Sequence, residues 1–318
     1  MNETATLTNE NYFSPQMSKK YMSVSQFKEF AGTLMHTPCE LTAYKNAQGM
    51  LPQTMTKPLL VGSYIDAFYE GTLDTFKYDY RDLICTKTSI KAYEKSQNPN
   101  DLQLLADFKQ AELIIERTQN DPLFVSYMAG EKQVIMTANL FGIDWKIKMD
   151  AYHPGDKIVD LKVMRSMEPI WSDKNHMKSD FIRYWGYDIQ GAIYQKVVEL
   201  VTGQKLPFFI AAATKEDATN IEIIQIDQPY LDEALDFVEK NISHVLDVKN
   251  GNVEPESCGK CYWCRRVKQL KNPIHIKDII PPQATSYDED IPPMESENDT
   301  DDSVSGPEPF HLFGAPMD

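Results

Sequence analysis

Two carboxylates and one ammonium stand near each other in the middle of the chain: Asp150, at the end of Ile143–Ala151, and Asp160 and Lys162 in Ile158-Val-Asp160-Leu-Lys162. A period-two alternation runs through Lys132–Ala138, Ile143–Ala151 and Lys157–Val163, which predicts three successive strands. Side chains alternate along a strand, so Asp160 and Lys162 share one face while Val159, Leu161 and Val163 make the other apolar. The turn His153-Pro-Gly-Asp156 returns the chain and brings Asp150 beside them. Such an oxygen-rich set suits Mg²⁺ or Mn²⁺, hard cations held by carboxylates together with water and phosphate oxygens. A metal there polarises a phosphoryl oxygen and lowers the pKa of bound water, and a neighbouring lysine orients that water and balances developing charge. The chemistry implied is metal-dependent hydrolysis of a phosphodiester. Asp-x-Lys alone is common, and an exposed strand of alternating charge is the plain alternative reading of the triplet.

Other candidates flank this set. Glu131, just before the first strand, is either a metal or water ligand or a solvated turn residue. Tyr187, Gln190 and Tyr194 fall on one face of a helix expected at Tyr184–Thr202. A glutamine turned toward a sheet needs a polar partner, because a buried unpaired amide is costly. Three of the five cysteines lie in Cys258-Gly-Lys-Cys261-Tyr-Trp-Cys264, a ligand spacing that suits tetrahedral zinc or an iron–sulfur cluster without choosing between them. Three ligands are one short. Cys39, in His36-Thr-Pro-Cys39-Glu40, is the expected fourth and His275 a weaker one; Cys85, in strand-like Leu83–Thr86, reads as a free buried thiol. A bond from Cys39 to the triplet would clamp the start of the body to its end. An odd cysteine count without a secretion-signal pattern gives no disulfide framework.

The elements that must position these residues follow from periodicity. Ser23 is an N-cap candidate ahead of Phe27 and Phe30, Gly62–Gly71 reads as a helix with Ile65, Phe68 and Tyr69 inward, and Asp101–Asn120 as an amphipathic helix carrying Leu102, Leu105, Phe108 and Ile115. Phe208–Thr214 and Ile221–Ile226 read as strands and Tyr230–Lys249 as a last helix. Helices, a three-strand meander, a helix, a strand pair and a helix predict an α/β fold with a central mixed sheet flanked by helices. Residues 1–20 are expected as a flexible leader, 21–276 as the globular domain and 277–318 as a disordered acidic tail. The formal charge is −15, but 285–318 holds ten carboxylates and no Lys or Arg; the other 284 residues carry 32 basic and 37 acidic side chains, a net of −5. That balance is compatible with nucleic acid if the basic residues cluster. No run of 18 apolar residues occurs, so no membrane span is expected and the cytoplasm is the default compartment. Phe310-His-Leu-Phe313, an apolar cluster at the end of the acidic tail, is a candidate docking segment for a replication or recombination partner.

In order along the chain, Ser23-Val-Ser25-Gln-Phe27 followed by Cys39, then Gly62-Ser-Tyr-Ile-Asp66, Asp150, Asp160-Leu-Lys162, Tyr187-x-x-Gln190-x-x-x-Tyr194 and the cysteine triplet resemble the RecB-type branch of PD-(D/E)xK nucleases over about residues 20–275. Within that branch they look like phage and prophage RecE-like exonucleases of the exodeoxyribonuclease VIII type. The cysteines are similar to those of iron–sulfur members such as the AddB nuclease domain and CRISPR adaptation nucleases. The resemblance implies a restriction-endonuclease-like core, with Asp150, Asp160 and the backbone carbonyl of Leu161 as metal ligands and Lys162 as catalytic lysine. It places Gln190 and Tyr194 along the active site, and a 4Fe–4S cluster, with Zn²⁺ as the alternative, on Cys39, Cys258, Cys261 and Cys264. Where many relatives carry histidine in Gly-x-x-x-His, this chain has Asp66, which can still ligate Mg²⁺, with Glu70 one helical turn later as another donor. The implied activity is exonucleolytic, hydrolysing phosphodiester bonds of linear double-stranded DNA from 5′ to 3′ in phage-type recombination or repair inside a bacterial host. A single-strand annealing partner and a homo-oligomer fit the same picture. A non-catalytic iron–sulfur DNA-binding module and an endonuclease of the same fold are the competing readings.

Overall fold

The structure is a computed structural model that describes residues 6–50, 56–98, 101–270 and 272–276. Met1–Lys268 forms one compact unit and Gln269–Asp318 a second; the described residues of the second hold no strand or α-helix. The acidic tail and its Phe310–Phe313 cluster lie outside the described residues.

Helices dominate the first half: α1 (Pro15–Lys20), α2 (Val24–Ala31), α3 (Glu40–Ala47), α4 (Lys57–Glu70), α5 (Leu73–Asp79), α6 (Arg81–Ile84), α7 (Lys87–Ser96), α8 (Ala106–Gln119) and α9 (Pro122–Met128). Ser23 caps α2 in a full capping box with Gln26. The expected loose leader is ordered from Thr6. Met17 is buried, Tyr12 is buried with its hydroxyl donating to the Lys146 carbonyl, and Lys146 Nζ in turn donates to the Tyr12 carbonyl. The helix expected from Asp101 begins only at Ala106, because the preceding residues pair with the end of α6: Thr86 N–H donates to Gln103 O and Leu105 N–H to Ile84 O. Cys85 joins that pairing through a single bridge to Leu104 and is a buried free thiol, not part of a longer strand.

The strands follow: β1 (Val134–Leu140), β2 (Ile143–Met149), β3 (Ala151–His153) and β4 (Lys157–Met164), then a small hairpin of β5 (Ile170–Ser172) and β6 (Met177–Ser179). Next come α10 (Phe181–Trp185), α11 (Tyr187–Thr202), β7 (Phe208–Thr214), β8 (Ile221–Gln225), α12 (Gln228–Asn250) and α13 (Tyr262–Val267). The expected three-strand meander is two separate pairings. β1 and β2 form their own hairpin, the chain breaks at Asp150, and β3 enters a four-stranded sheet of order β3-β4-β7-β8. In it β4 and β7 run parallel, with Asp160 opposite Ile210 and Lys162 opposite Ala212, while the outer pairs are antiparallel. The mixed sheet flanked by helices is as the pattern predicts.

Each face of the sheet has its own core. Val159, Leu161, Ala211 and Ala213 pack on α4, α8 and α9 through Ile65, Phe108, Ile114 and Phe124. Ile158, Met164, Phe208, Ile210 and Ala212 pack on α11 and α12 through Ile189, Ile193, Val197 and Val238. Asp160 and Lys162 therefore interrupt the α11-side apolar row of β4, between Ile158 and Met164, where a charge persists only with partners. No helix among the described residues is long and apolar enough to cross a membrane.

Candidate active site

Asp160 is 2% exposed. Lys162 Nζ lies 2.5 Å from its Oδ2, and Gln190 Nε2 donates to its Oδ1 at 2.6 Å. Burial alone would lower the Lys162 ammonium, but Asp160 and Asp150 beside it reverse the sign and raise it above the ordinary lysine value, so it stays charged. Asp150 sits at the break between β2 and β3. Its Oδ2 accepts the Leu161 backbone N–H at 2.9 Å, taking the ladder place that the broken strand leaves open, and Gln133 Nε2 approaches its Oδ1 at 3.4 Å. Lost solvation first, then the charges of Asp160 and Asp66, push the Asp150 carboxyl well above its usual range. Asp66, on α4, is pushed up to about 7, chiefly by burial. Glu70, one turn on, is raised by the same cause.

These groups border a small cleft lined by Asp66, Tyr69, Glu70, Gln133, Asp150 and Leu161, with about 180 Å³ of open space. The enclosed part of the cleft is far smaller than a pocket for an organic ligand, so it suits an ion or a water with a larger substrate outside. The carboxylates of Asp66 and Asp150, both raised first by burial, lie within electrostatic reach of Asp160 and of one ammonium, Lys162. A divalent cation with a preference for hard oxygens would offset the excess of carboxylates over ammonium, so the residues fit Mg²⁺ or Mn²⁺.

The helix carrying Gln190 is placed by a break that the sequence pattern does not reveal. The helix expected from Tyr184 is two, α10 and α11, separated at Gly186 with φ +65°. A Cβ there would lie 2.8 Å from Lys28 Cδ and 2.9 Å from Thr33 Cγ2. Lys28 Nζ donates to the Trp185 and Gly186 carbonyls at 2.9 and 3.4 Å, and Thr33 Oγ1 to the Tyr184 carbonyl. Tyr187 then stacks over Lys162 Nζ at 5.1 Å. Tyr194 is buried, and its hydroxyl donates to the Lys148 carbonyl at 3.0 Å, so it holds β2 just before Asp150 and does not touch either aspartate directly. Glu131 is not brought to the site. Its side chain is exposed and its main chain pairs with Tyr152, and Gln133, two residues on, takes the place beside Asp150. Sequence reasoning also missed Tyr69 and Lys28, which carry no motif.

The four cysteines meet at a second centre. The sulfurs of Cys39, Cys258, Cys261 and Cys264 all lie within 4.8 Å of one another, and His275 is not among them. Cys39 Sγ is 3.5 Å from both Cys261 Sγ and Cys264 Sγ, and Cys258 Sγ is 3.8 Å from Cys264 Sγ. A tetrahedral ion with bonds of about 2.3 Å needs sulfurs roughly 3.8 Å apart. A four-iron cubane interposes iron–iron edges and calls for wider spacing. A hydrogen bond from Thr42, before any other cause, brings the Cys261 thiol down to about 6, which favours the thiolate that a metal requires. Neighbouring links bind the same segments: Leu41 N–H donates to Glu256 O, Glu256 N–H to Glu40 Oε2, and Glu40 Oε1 meets His244 Nε2 at 2.6 Å.

With this geometry in place, comparison with known proteins is informative. Residues 23–267 match the model of a PDDEXK-like domain of unknown function (DUF3799). A crystal structure at 2.19 Å of a "Putative exonuclease" from Eubacterium rectale is 49% identical, with a TM-score of 0.77 over 86% of this chain and 98% of that one. A comparison with curated proteins finds no match. The matched span runs from the cap of α2 to the end of α13 and contains both centres; the chain belongs to the PDDEXK-like family, the PD-(D/E)xK nuclease class.

Proposed function

We propose that this chain is a Mg²⁺- or Mn²⁺-dependent DNA exonuclease that hydrolyses phosphodiester bonds at the ends of linear double-stranded DNA, from 5′ to 3′, in phage-type recombination or repair in the cytoplasm of a bacterial host. The observation that carries the reading is that Asp66 and Asp150 line one small cleft, with the Asp160–Lys162 ion pair within electrostatic reach of both. The name of the Eubacterium rectale relative supports the exonucleolytic mode. The bound cation supplies charge neutralisation at the phosphate and a more acidic water. Asp150, Asp160, Asp66 and the Leu161 carbonyl would hold it. Lys162 keeps its proton, orients the attacking water and offsets charge that develops on the phosphoryl oxygens. Gln190 fixes Asp160 through its amide, and Tyr194 fixes the β2 backbone that delivers Asp150.

The cysteine centre is a metal clamp in this reading: a 4Fe–4S cluster by resemblance, a single Zn²⁺ by the spacing of the sulfurs. Metal analysis of anaerobically purified protein decides, with four irons or one zinc per chain as the outcomes. A homo-oligomer and an annealing or replication partner bound through residues 277–318 complete the proposal. Deleting 285–318 raises DNA affinity at low salt if the tail covers the DNA path; unchanged affinity with loss of partner binding assigns it to docking.

The decisive assay follows linear duplex and covalently closed circular DNA with Mg²⁺, wild type beside Lys162→Ala. Loss of the linear substrate alone, abolished in the variant, supports the exonuclease. Opening of the circle makes the protein an endonuclease. Binding without cleavage of either substrate favours the non-catalytic module.

A further inference from the structure

We propose that Gln133 is an additional functional residue of the metal site, a neutral oxygen donor that contacts the cation or a water bound to it. The inference rests on the metal-dependent nuclease reading above. Gln133 has φ +54°, in the left-handed region that disfavours side chains. Among the described residues three other non-glycines share this conformation, and each has a local reason: Gln97 is the C-cap of α7, Phe141 lies in the β1–β2 turn and His176 in the β5–β6 turn. Gln133 ends no helix and closes no hairpin. It stands between the Glu131–Tyr152 bridge and β1, where glycine would relieve the backbone.

What the conformation achieves is to send the side chain into the cleft, beside Asp66, Glu70, Asp150 and Leu161. The amide turns Nε2 toward Asp150 Oδ1, at 3.4 Å, and Oε1 away from that atom. Oε1 is then buried with no hydrogen-bond partner. An amide oxygen kept from water without a donor is costly, and amide carbonyls are ordinary ligands of hard cations. A neutral donor also suits a site that already gathers three carboxylates around one lysine, since it adds coordination without adding repulsion. Strain and an unmet acceptor at one residue that lines the cleft are the marks of a preorganised ligand.

The test is calorimetric titration of the intact, cysteine-loaded protein with Mn²⁺, with Asp150→Ala defining which binding belongs to the cleft, and thermal melting without added Mn²⁺. Gln133→Leu and Gln133→Gly are expected to bind Mn²⁺ about 10- to 100-fold more weakly, and Gln133→Glu within a few-fold of wild type. Gln133→Gly is also expected to melt higher than wild type before metal is added, because the strain is gone; this variant guards against a folding defect in the leucine one. Wild-type affinity in both Gln133→Leu and Gln133→Gly overturns the assignment of Gln133. Absence of Mn²⁺ binding to the wild-type cleft overturns the metal-site reading itself.

Discussion

Asp160 is held at both oxygens, and the two holders are not equivalent. Lys162 matches its charge, whereas Gln190 meets a lone pair on a carboxylate that is 3% exposed. Replacing Gln190 with Leu leaves that oxygen buried without a donor, and the expected cost is about 1–3 kcal/mol, read as a lower denaturation midpoint together with reduced cleavage. An unchanged midpoint would show that water replaces the amide. Asp66 carries a pH signature. Its folded value of about 7 lies above the ordinary carboxylate value of 3.8, so the stability it contributes is full at low pH and is lost as pH rises through 7. In the proposed function a metal would compete for the same carboxylate, so Mg²⁺ affinity would run the other way. The expected outcome is a metal-free melting temperature that falls as pH rises from 3.8 to about 7 and levels off above it, while the stabilisation by added Mg²⁺ grows over the same interval. Parallel pH profiles with and without Mg²⁺ would remove Asp66 from the metal site. At this scale the sequence makes Asp150, Asp160 and Lys162 legible, because a strand's alternation and one turn suffice to bring them together. Gln133 is hidden, since an acid at Glu131 is the more obvious ligand and nothing in the residue types announces a left-handed glutamine.

Helix α11 sits close to β7, and Gly191 is the reason it can. A Cβ there would meet Phe208 Cδ1 at 2.7 Å and Leu231 Cδ2 at 2.9 Å, both in the core between the sheet and α12. Gly191→Ala is expected to cost roughly 1–3 kcal/mol by overpacking and to lower cleavage further by shifting Gln190, its neighbour. Melting and turnover should both fall, and a variant that melts normally would show that the core yields. The elements themselves follow the hydrophobic period closely: Phe208–Thr214 is β7 as expected, and β4 differs from the expected strand by one residue. The departures occur where long-range partners decide. The strand through Asp150 breaks because its carboxylate replaces a ladder bond to Leu161, and the helix through Gly186 breaks because Lys28 and Thr33 from α2 and the loop after it take the carbonyls of α10. Periodicity within a segment is blind to both.

For the molecule as a whole, two cores share one sheet, and the segments at either end of the body meet at the cysteines. Cys39→Ser should lower the melting temperature and increase proteolysis, with loss of the bound metal, whereas Lys162→Ala should abolish cleavage with little change in stability. Loss of cleavage without loss of stability in Cys39→Ser would make the cysteine centre part of the chemistry. The one-plus-three grouping was legible from spacing plus resemblance; the ordered leader was not, because Tyr12 and Met17 are single anchors in a polar stretch.

The distance along the chain between the clamp's halves has a cellular consequence. Cys39 emerges from the ribosome more than two hundred residues before Cys258, and the ordering cost of joining such remote segments is recovered only once the last thiols have appeared. Until then α2 and α3 lack their fastening, and a chain finished without the proposed metal would keep loose ends for proteases to find. With a metal on the four thiols, as proposed above, the amount of this nuclease in a cell would be tied to the supply of that metal, and its scarcity would limit the enzyme before it limited the reaction.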